Sequence, residues 1–481
     1  MRAYVTAVGT SPEAVFNPLW YLAEVHSWVP DRVYLLWNDG VTGHLERVRE
    51  LIGRLSEAYG KEIEVVAGEE LRFSEENPVE FREKVGKVIA DLKAESHEVV
   101  VDITPGRKFM SALLLGAAIS ASADEVTYLH LRDFRRYAGK LLFEVPMVEQ
   151  RLFRREELTG RRGTLELGRR KRGSPGSLTV SREQLMALLD SLYLDGVKRF
   201  RLAVRSEEIA SVKLGERARI RVGEYVTLDR ELHGGHSMVK EAVIAGMGSF
   251  RNWDGLKEEV KALLHSGRPL YIGFDTNALL LRVPSRVLAE NDFYRNGNLV
   301  FDFVYSDEVQ VEIGRQVNEK LPFDRGLGVY SNQPTPRARL ASLGRVELER
   351  LREMGAERAN SRRDERGDTK IALDYKAFAE EKDANVLVIT LDDRAYAEMD
   401  ALRGSGLVPF RLEWEFSFGG SIEGTWEGLR DTLYTLAVTL GELNVHTYKL
   451  YGIWHGKNSG DWKGERVRLN GFEYGRIFRI L

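Results

Sequence analysis

The chain has 481 residues, 43% of them hydrophobic and 30% charged, with a formal net charge of −3. That length exceeds what one core supports and predicts two or three domains. No apolar run reaches the roughly 20 residues of a membrane span, the start MRAYVTAVGTSPE lacks the charged-then-apolar order of a signal peptide, and there is no cysteine. A cytoplasmic protein with no membrane partner is therefore expected, without disulfides, thiolate zinc sites or thiol nucleophiles. Any metal must then sit on oxygen or imidazole, which favours a hard cation, magnesium or manganese.

In residues 1–150, strand-like runs at Ala3 to Val8, Val33 to Trp37, Ile63 to Val66, Val99 to Ile103 and Val126 to Leu131 alternate with helical periodicities at about 12–27, 42–58, 78–94 and 107–121. Strict β/α alternation predicts an α/β, Rossmann-like doubly wound sheet. The absence of GxGxxG argues against a dinucleotide. Strand one ends in Val8-Gly-Thr10-Ser11, strand two in Trp37-Asn38-Asp39, and strand four in Asp102-Ile-Thr104-Pro105-Gly106-Arg107-Lys108. Gly, Arg and Lys at a helix start favour an anion, and Thr10, Ser11 and Asn38 fall on the same carboxyl edge, so a phosphate-bearing ligand is expected.

These loops, VGTSPE and VVVDITPGRKFMSALLLGAA, resemble the CRISPR-associated Rossmann fold (CARF) domain over about residues 1–150. The resemblance implies a sensor of cyclic oligoadenylate, cyclic tetra-adenylate foremost, acting as a homodimer. It also implies ring contacts from Thr10, Ser11, Asn38, Thr104, Gly106, Arg107 and Lys108, with Arg132 and Asp133 at the rim.

Residues 151–265 read as a basic linker and small connecting domain. The run from Arg151 to Arg172, rich in Arg and Lys, is expected as an exposed arm, either a solvated surface or a phosphate grip. Ser181-Arg-Glu-Gln184 is a capping box opening a helix through Leu192. Alternating segments at Arg199 to Val204, Arg217 to Val222 and Tyr225 to Leu228 predict a small antiparallel unit. His233 and His236 have a spacing that can bind metal, but with no second pair of ligands nearby a flexible loop is the better reading. Trp253 to Leu264 is expected as a helix.

In residues 266–412, Leu270 to Phe274 reads as a buried strand that ends at Asp275, followed by Thr276, Asn277 and a helix start. Asp275 either caps that helix or offers a carboxylate to a crevice. Further acids recur at element ends: Glu312 in a helical segment, Asp368 opening an amphipathic helix, and Asp392-Asp393 after the strand Asn385 to Thr390. Arginines between 337 and 366 form either a salt-bridged helix or an RNA grip.

FDTNALL, VEI, GDTKIALDY and VITLDDRAY, in that order, resemble the PIN domain over about residues 268–412. The resemblance implies a metal-dependent endoribonuclease with Asp275, Glu312, Asp368 and Asp392 as catalytic metal ligands, supported by Asn277 and Thr390. Asp393 competes with Asp392 for the fourth place. Clustered carboxylates repel one another and so retain protons or recruit a divalent cation.

Residues 413–481 are expected as a C-terminal helix from Trp426 to Leu443 and a hairpin packed on the nuclease. Trp454, His455, Lys457 and Trp462 are either core residues or base-stacking ones. Together these readings predict a cyclic-oligoadenylate-activated endoribonuclease of type III CRISPR immunity that cleaves single-stranded RNA, with tRNA loops as a target class. The alternatives are a ligand-controlled nucleic-acid-binding regulator with an inactive acid cluster and a constitutive RNA-processing nuclease.

Overall fold

Apolar strands alternating with amphipathic helices leave the N-terminal segment one way to bury both faces of its strands, a parallel sheet between two helical layers. In the computed structural model, which describes residues 1–224, 228, 235–320, 333–452 and 464–481, that is what forms. Strands β1 (Arg2–Ala7), β2 (Arg32–Leu36), β3 (Glu64–Val66), β4 (Glu98–Asp102), β5 (Glu125–Leu131) and β6 (Gln150–Arg154) make one sheet of order β3-β2-β1-β4-β5-β6. The first five are parallel and β6 returns antiparallel to β5. Helices Pro12–His26, Thr42–Tyr59, Pro78–Ala94 and Lys108–Ser120 connect the parallel strands.

This sheet belongs to a first compact unit of Met1–Gly176, Met186–Val197 and Phe472–Leu481. The basic stretch from Arg151 is not a free arm. Its first residues are the edge strand β6, and Arg154 binds the buried Glu125 through its Nε at 2.7 Å. Arg170 is buried against Glu24 at 2.7 Å and lies over the Tyr474 ring. Isolated buried carboxylates are costly, so these arginines are structural counter-charges. Arg161, Arg162 and Lys171 remain exposed.

The second unit comprises Ser177–Leu185 and Lys198–Gly471. After β7 (Gly176–Ser181) come the antiparallel strands β8 (Arg199–Val204), β9 (Glu207–Leu214) and β10 (Ala218–Val222). The capping box forms, with the Ser181 N–H donating to Gln184 at 2.9 Å and the Gln184 N–H to Ser181 Oγ at 3.2 Å. The chain then builds β11 (Leu270–Phe274), a two-stranded ribbon of β12 (Tyr294–Arg295) and β13 (Asn298–Leu299), β14 (Asp302–Ser306), β15 (Glu357–Ala359), β16 (Asn385–Thr390) and β17 (Leu407–Arg411). Strands β11 and β14 to β17 form a parallel sheet of order β15-β14-β11-β16-β17.

The last strands are β18 (Ser421–Gly424), β19 (Glu442–Val445), β20 (Tyr448–Tyr451) and β21 (Arg466–Phe472). They do not form a separate hairpin packed on residues 266–412. They join the strands expected as a small connecting unit in one eight-stranded sheet, β18-β10-β9-β8-β19-β20-β21-β7. The helix Trp426–Leu440, between β18 and β19, stops short of the expected Leu443, and 442–445 is strand. Tyr225, His233, the side chain of His236, Trp454, His455, Lys457 and Trp462 lie outside the described residues. Among the described residues no helix is long and apolar enough to cross a membrane.

Candidate functional site

Two sites lie at the carboxyl edges of the two parallel sheets. In the first unit the strand order reverses between β1 and β4, and loops leaving neighbouring strands in opposite directions open a crevice there. A cleft of about 1130 Å³ occupies it, lined among others by Thr10, Ser11, Asn38, Thr104, Gly106 and Arg107. The loops after β1 and β4 almost touch: a Cβ on Gly9 would lie 2.9 Å from the Gly106 nitrogen, and Gly106 has φ +93°. Both positions therefore need glycine.

The predicted ring contacts divide into exposed and internally engaged groups. Thr10 and Arg107 are exposed, whereas Lys108 opens its helix facing solvent and does not line the cleft. The Thr104 hydroxyl is spent internally, donating to Asp102 at 3.0 Å and accepting from the Leu129 N–H at 2.8 Å. Arg132 and Asp133 are not in the lining, and Asp133 caps the short helix Phe134–Tyr137 instead. One residue was not foreseen: Glu75 bridges Asn38 Nδ2 at 2.8 Å and Arg107 at 2.9 Å, a carboxylate on two of the groups expected to meet phosphate. No periodicity signals it, since it lies in the loop before Pro78.

In the second unit Asp275 leaves the end of β11, only 2% exposed. It accepts from the Ala278 N–H at 2.7 Å and from Thr390 Oγ1 at 2.5 Å, so both readings hold at once, helix cap and inward carboxylate. The Tyr375 hydroxyl donates to the Phe274 carbonyl at 2.7 Å and accepts from the N–H groups of Phe274 and Ser306. Standing between the ends of β11 and β14, whose direct pairing stops at Ile272 and Phe303, it props the crevice open. Gly273 makes room for it, because a Cβ there would lie 2.6 Å from the ring.

Glu312, on the helix Asp307–Gln316, accepts from Thr276 Oγ1. Asp368 is the first residue of the helix Asp368–Lys382, after Gly367 at φ 65°. Asp275, Glu312 and Asp368 line one hollow of about 260 Å³ with Thr276, Asn277, Arg315 and Gln316. Asp392 joins its edge through Asn277 Nδ2 at 3.5 Å and caps its own helix at the Arg394 N–H. Asp393 turns away to pair with Arg411 and is exposed, which separates the two adjacent aspartates. Arg337, also unforeseen, reaches Asn277 Oδ1 at 3.3 Å while paired with Glu241 at 2.7 Å.

Burial pushes the Asp275 carboxyl up to about 7, with Asp392 and Asp368 adding to the rise and the hydrogen bonds from Thr390 and Ala278 opposing it. Burial also raises Glu312, with Asp368 and Glu308 adding to the rise, and it raises Asp368, with Asp392 adding. The acids thus feel one another's charge. As they stand, though, no three His, Asp or Glu side chains among the described residues are gathered tightly enough to hold an ion. The expected ligand set Asp275, Glu312, Asp368 and Asp392 is a shared electrostatic neighbourhood, not a preassembled coordination shell. An all-carboxylate donor set, with the proton affinity raised at Asp275, Glu312 and Asp368, still fits a hard divalent cation, which would relieve the same repulsion that protons relieve.

The arginines between 337 and 366 are largely committed. Arg339 is buried and donates to the Thr439 carbonyl, Arg345 pairs with Glu349, and Arg358 pairs with Asp307. Arg362, Arg363 and Arg366 stand exposed before Asp368.

No protein-family model matches this chain, and no curated protein matches it. Among solved structures, protein VC1899 from Vibrio cholerae is similar over 85% of this chain and 94% of its own, at 10% identity and TM-score 0.26. Can2 from Sulfobacillus thermosulfidooxidans in complex with cyclic tetra-adenylate covers 85% and 93% at 7% identity and TM-score 0.24. A type III CRISPR defence DNA nuclease activated by cyclic oligoadenylate covers 92% and 70% at 14% identity and TM-score 0.23. Likeness at these scores carries no argument about function; the geometry of the two sites does.

Proposed function

We propose that this chain is a metal-dependent endoribonuclease of the PIN type, controlled by a cyclic oligoadenylate that binds a CARF-type domain. We further propose that it acts as a homodimer in type III CRISPR defence on single-stranded RNA such as tRNA loops. The observation that supports this best is the meeting of Asp275, Glu312 and Asp368, from three separate elements, around one hollow at the carboxyl edge of a parallel sheet, with Asp392 at its side.

A magnesium or manganese ion bound there supplies electrostatic stabilisation of a phosphoryl group under attack by water. The chain's own residues do the holding. Thr390 fixes the Asp275 carboxylate, Thr276 orients Glu312, and Arg315 at the wall offers a positive charge to substrate phosphate. In the first unit, Arg107, Thr10 and Asn38 offer a cation and hydrogen-bonding groups to a ring of phosphates. Control by the ring requires that it bind the active arrangement more tightly than the resting one.

The test incubates purified protein with labelled RNA or DNA, manganese, and cyclic tri-, tetra- or hexa-adenylate. RNA cleavage that needs both metal and one ring is the expected result. Cleavage without a ring would favour constitutive processing, and no cleavage of either polymer under any condition would overturn the reading.

A further inference from the structure

The eight-stranded sheet has one face packed by the helix Trp426–Leu440 and the other turned to solvent. Along β8, β9 and β10 every second side chain points outward. The register sets Arg199, Lys213 and Arg219 side by side across three adjacent strands, with Arg201, Ser211 and Arg221 forming the next row. All six are exposed and line an open depression of about 380 Å³.

Like charges directly opposite one another destabilise a sheet. This face nevertheless gathers five cations in a chain whose net charge is −3. Glu423 pairs with Arg219 at 2.6 Å and Glu208 with Arg201 at 3.3 Å. Arg199 and Lys213 have no ionic partner among the described residues. Sheet geometry spaces the cations about 5 Å apart across strands and about 7 Å apart between rows, a lattice that consecutive phosphates of an extended strand can follow. The described residues of the depression offer no exposed aromatic ring for base stacking, so the recognition would be of backbone.

We propose that this face binds single-stranded RNA through its phosphates, without regard to sequence. The choice of RNA rests on the substrate class proposed above. The surface itself is tested without catalysis, in the full-length Asp275→Asn protein with EDTA, by fluorescence anisotropy of a labelled RNA of roughly 20 nucleotides. Replacing Arg199, Lys213 and Arg219 together by Gln is expected to raise Kd about tenfold at low salt. It should also make the slope of log K against log salt shallower by about 2, from three lost contacts. The melting temperature should hold or rise, since like-charge repulsion is relieved. Should the triple variant unfold, Lys213→Gln alone should still lower the slope by about 0.7.

Unchanged Kd and slope would overturn the proposal. So would tighter binding of duplex DNA than of RNA, or displacement of RNA by polyglutamate at equal charge, which would point to an acidic protein. If the variant loses RNA binding while the wild type cleaves no RNA, the surface stands and the cleavage reading falls.

Discussion

Asp102 and Asp275 occupy the same kind of place, the carboxyl end of a central strand in a parallel sheet, and both are fully buried with carboxyls pushed up to about 7 by that burial. Their surroundings differ. Asp102 accepts from Thr127 Oγ1 at 2.8 Å and from the Thr104 hydroxyl and N–H at 3.0 Å, so its partners are neutral donors. Asp275 also has a hydroxyl and an amide, but its further neighbours are Asp392 and Asp368. The same topology and the same perturbed acidity therefore serve two ends. Asp102 clamps the loop that walls the cleft of the first unit, while Asp275 faces other carboxylates. What surrounds a buried acid, more than its proton affinity, separates the structural from the chemical one.

The sharpest way to break this contrast is to remove each carboxylate. Asp275→Asn or Asp392→Asn should cut RNA cleavage by at least about 100-fold, whereas Asp393→Asn should leave it within a factor of about three. Equal losses at 392 and 393 in a gel cleavage assay would erase the distinction drawn from their pairing. Asp102→Ala should instead cost stability, about 1–3 kcal/mol, because buried threonine donors lose their acceptor. Chemical denaturation would read this, and unchanged stability would count against the clamp.

A pH series in EDTA sharpens the comparison further. Both folded-state values lie above the ordinary 3.8, so each acid's contribution to stability is fully present below about 3.8 and is lost as pH rises through about 7. The melting temperature should therefore fall across that window, and either Asn variant should flatten the fall. Manganese at pH 7.5 should restore stability to wild type and to Asp102→Asn, but not to Asp275→Asn. Restoration in all three would place the ion elsewhere.

The smallest effect is expected at Glu75. Glu75→Gln frees Arg107 and Asn38 from a competing carboxylate and should tighten cyclic tetra-adenylate binding by about three- to tenfold. Arg107→Ala should weaken it. Isothermal titration showing the same affinity in wild type and Glu75→Gln would mean that the ring does not meet Arg107.

Much of the first unit was legible because β/α alternation is a local signal: all five parallel strands and all four connecting helices lie within about two residues of their predicted bounds. Asp275 and Asp368 stood out for a similar reason, as charged residues placed where apolar periodicity stops or starts, whereas Glu312 sits in mid-helix and only the motif resemblance singles it out. The choice between Asp392 and Asp393 was not, since it depends on which one caps a helix and which one meets Arg411, far along the chain. The eight-stranded sheet was equally hidden. Its pairing of β10 with β18 and of β8 with β19 joins segments with a whole parallel sheet between them in sequence, and alternation reveals a strand without naming its neighbour. The basic stretch looked like an arm because Glu24 and Glu125, which neutralise it, are remote in sequence.

The pairing of Arg221 with Ser421 has one more consequence. Everything between these two residues leaves from one strand and returns on its immediate neighbour, so the excursion begins and ends about 5 Å apart. Closely spaced ends let such a segment be lengthened at its surface loops with little strain on the host ladder, while the helix Gly235–Met247 and Arg339 within it hold it to the helix Trp426–Leu440. Replacing the whole excursion by a hairpin turn from Val222 to Ser421 would strip the helix Trp426–Leu440 of both supports, so the shortened chain should not fold.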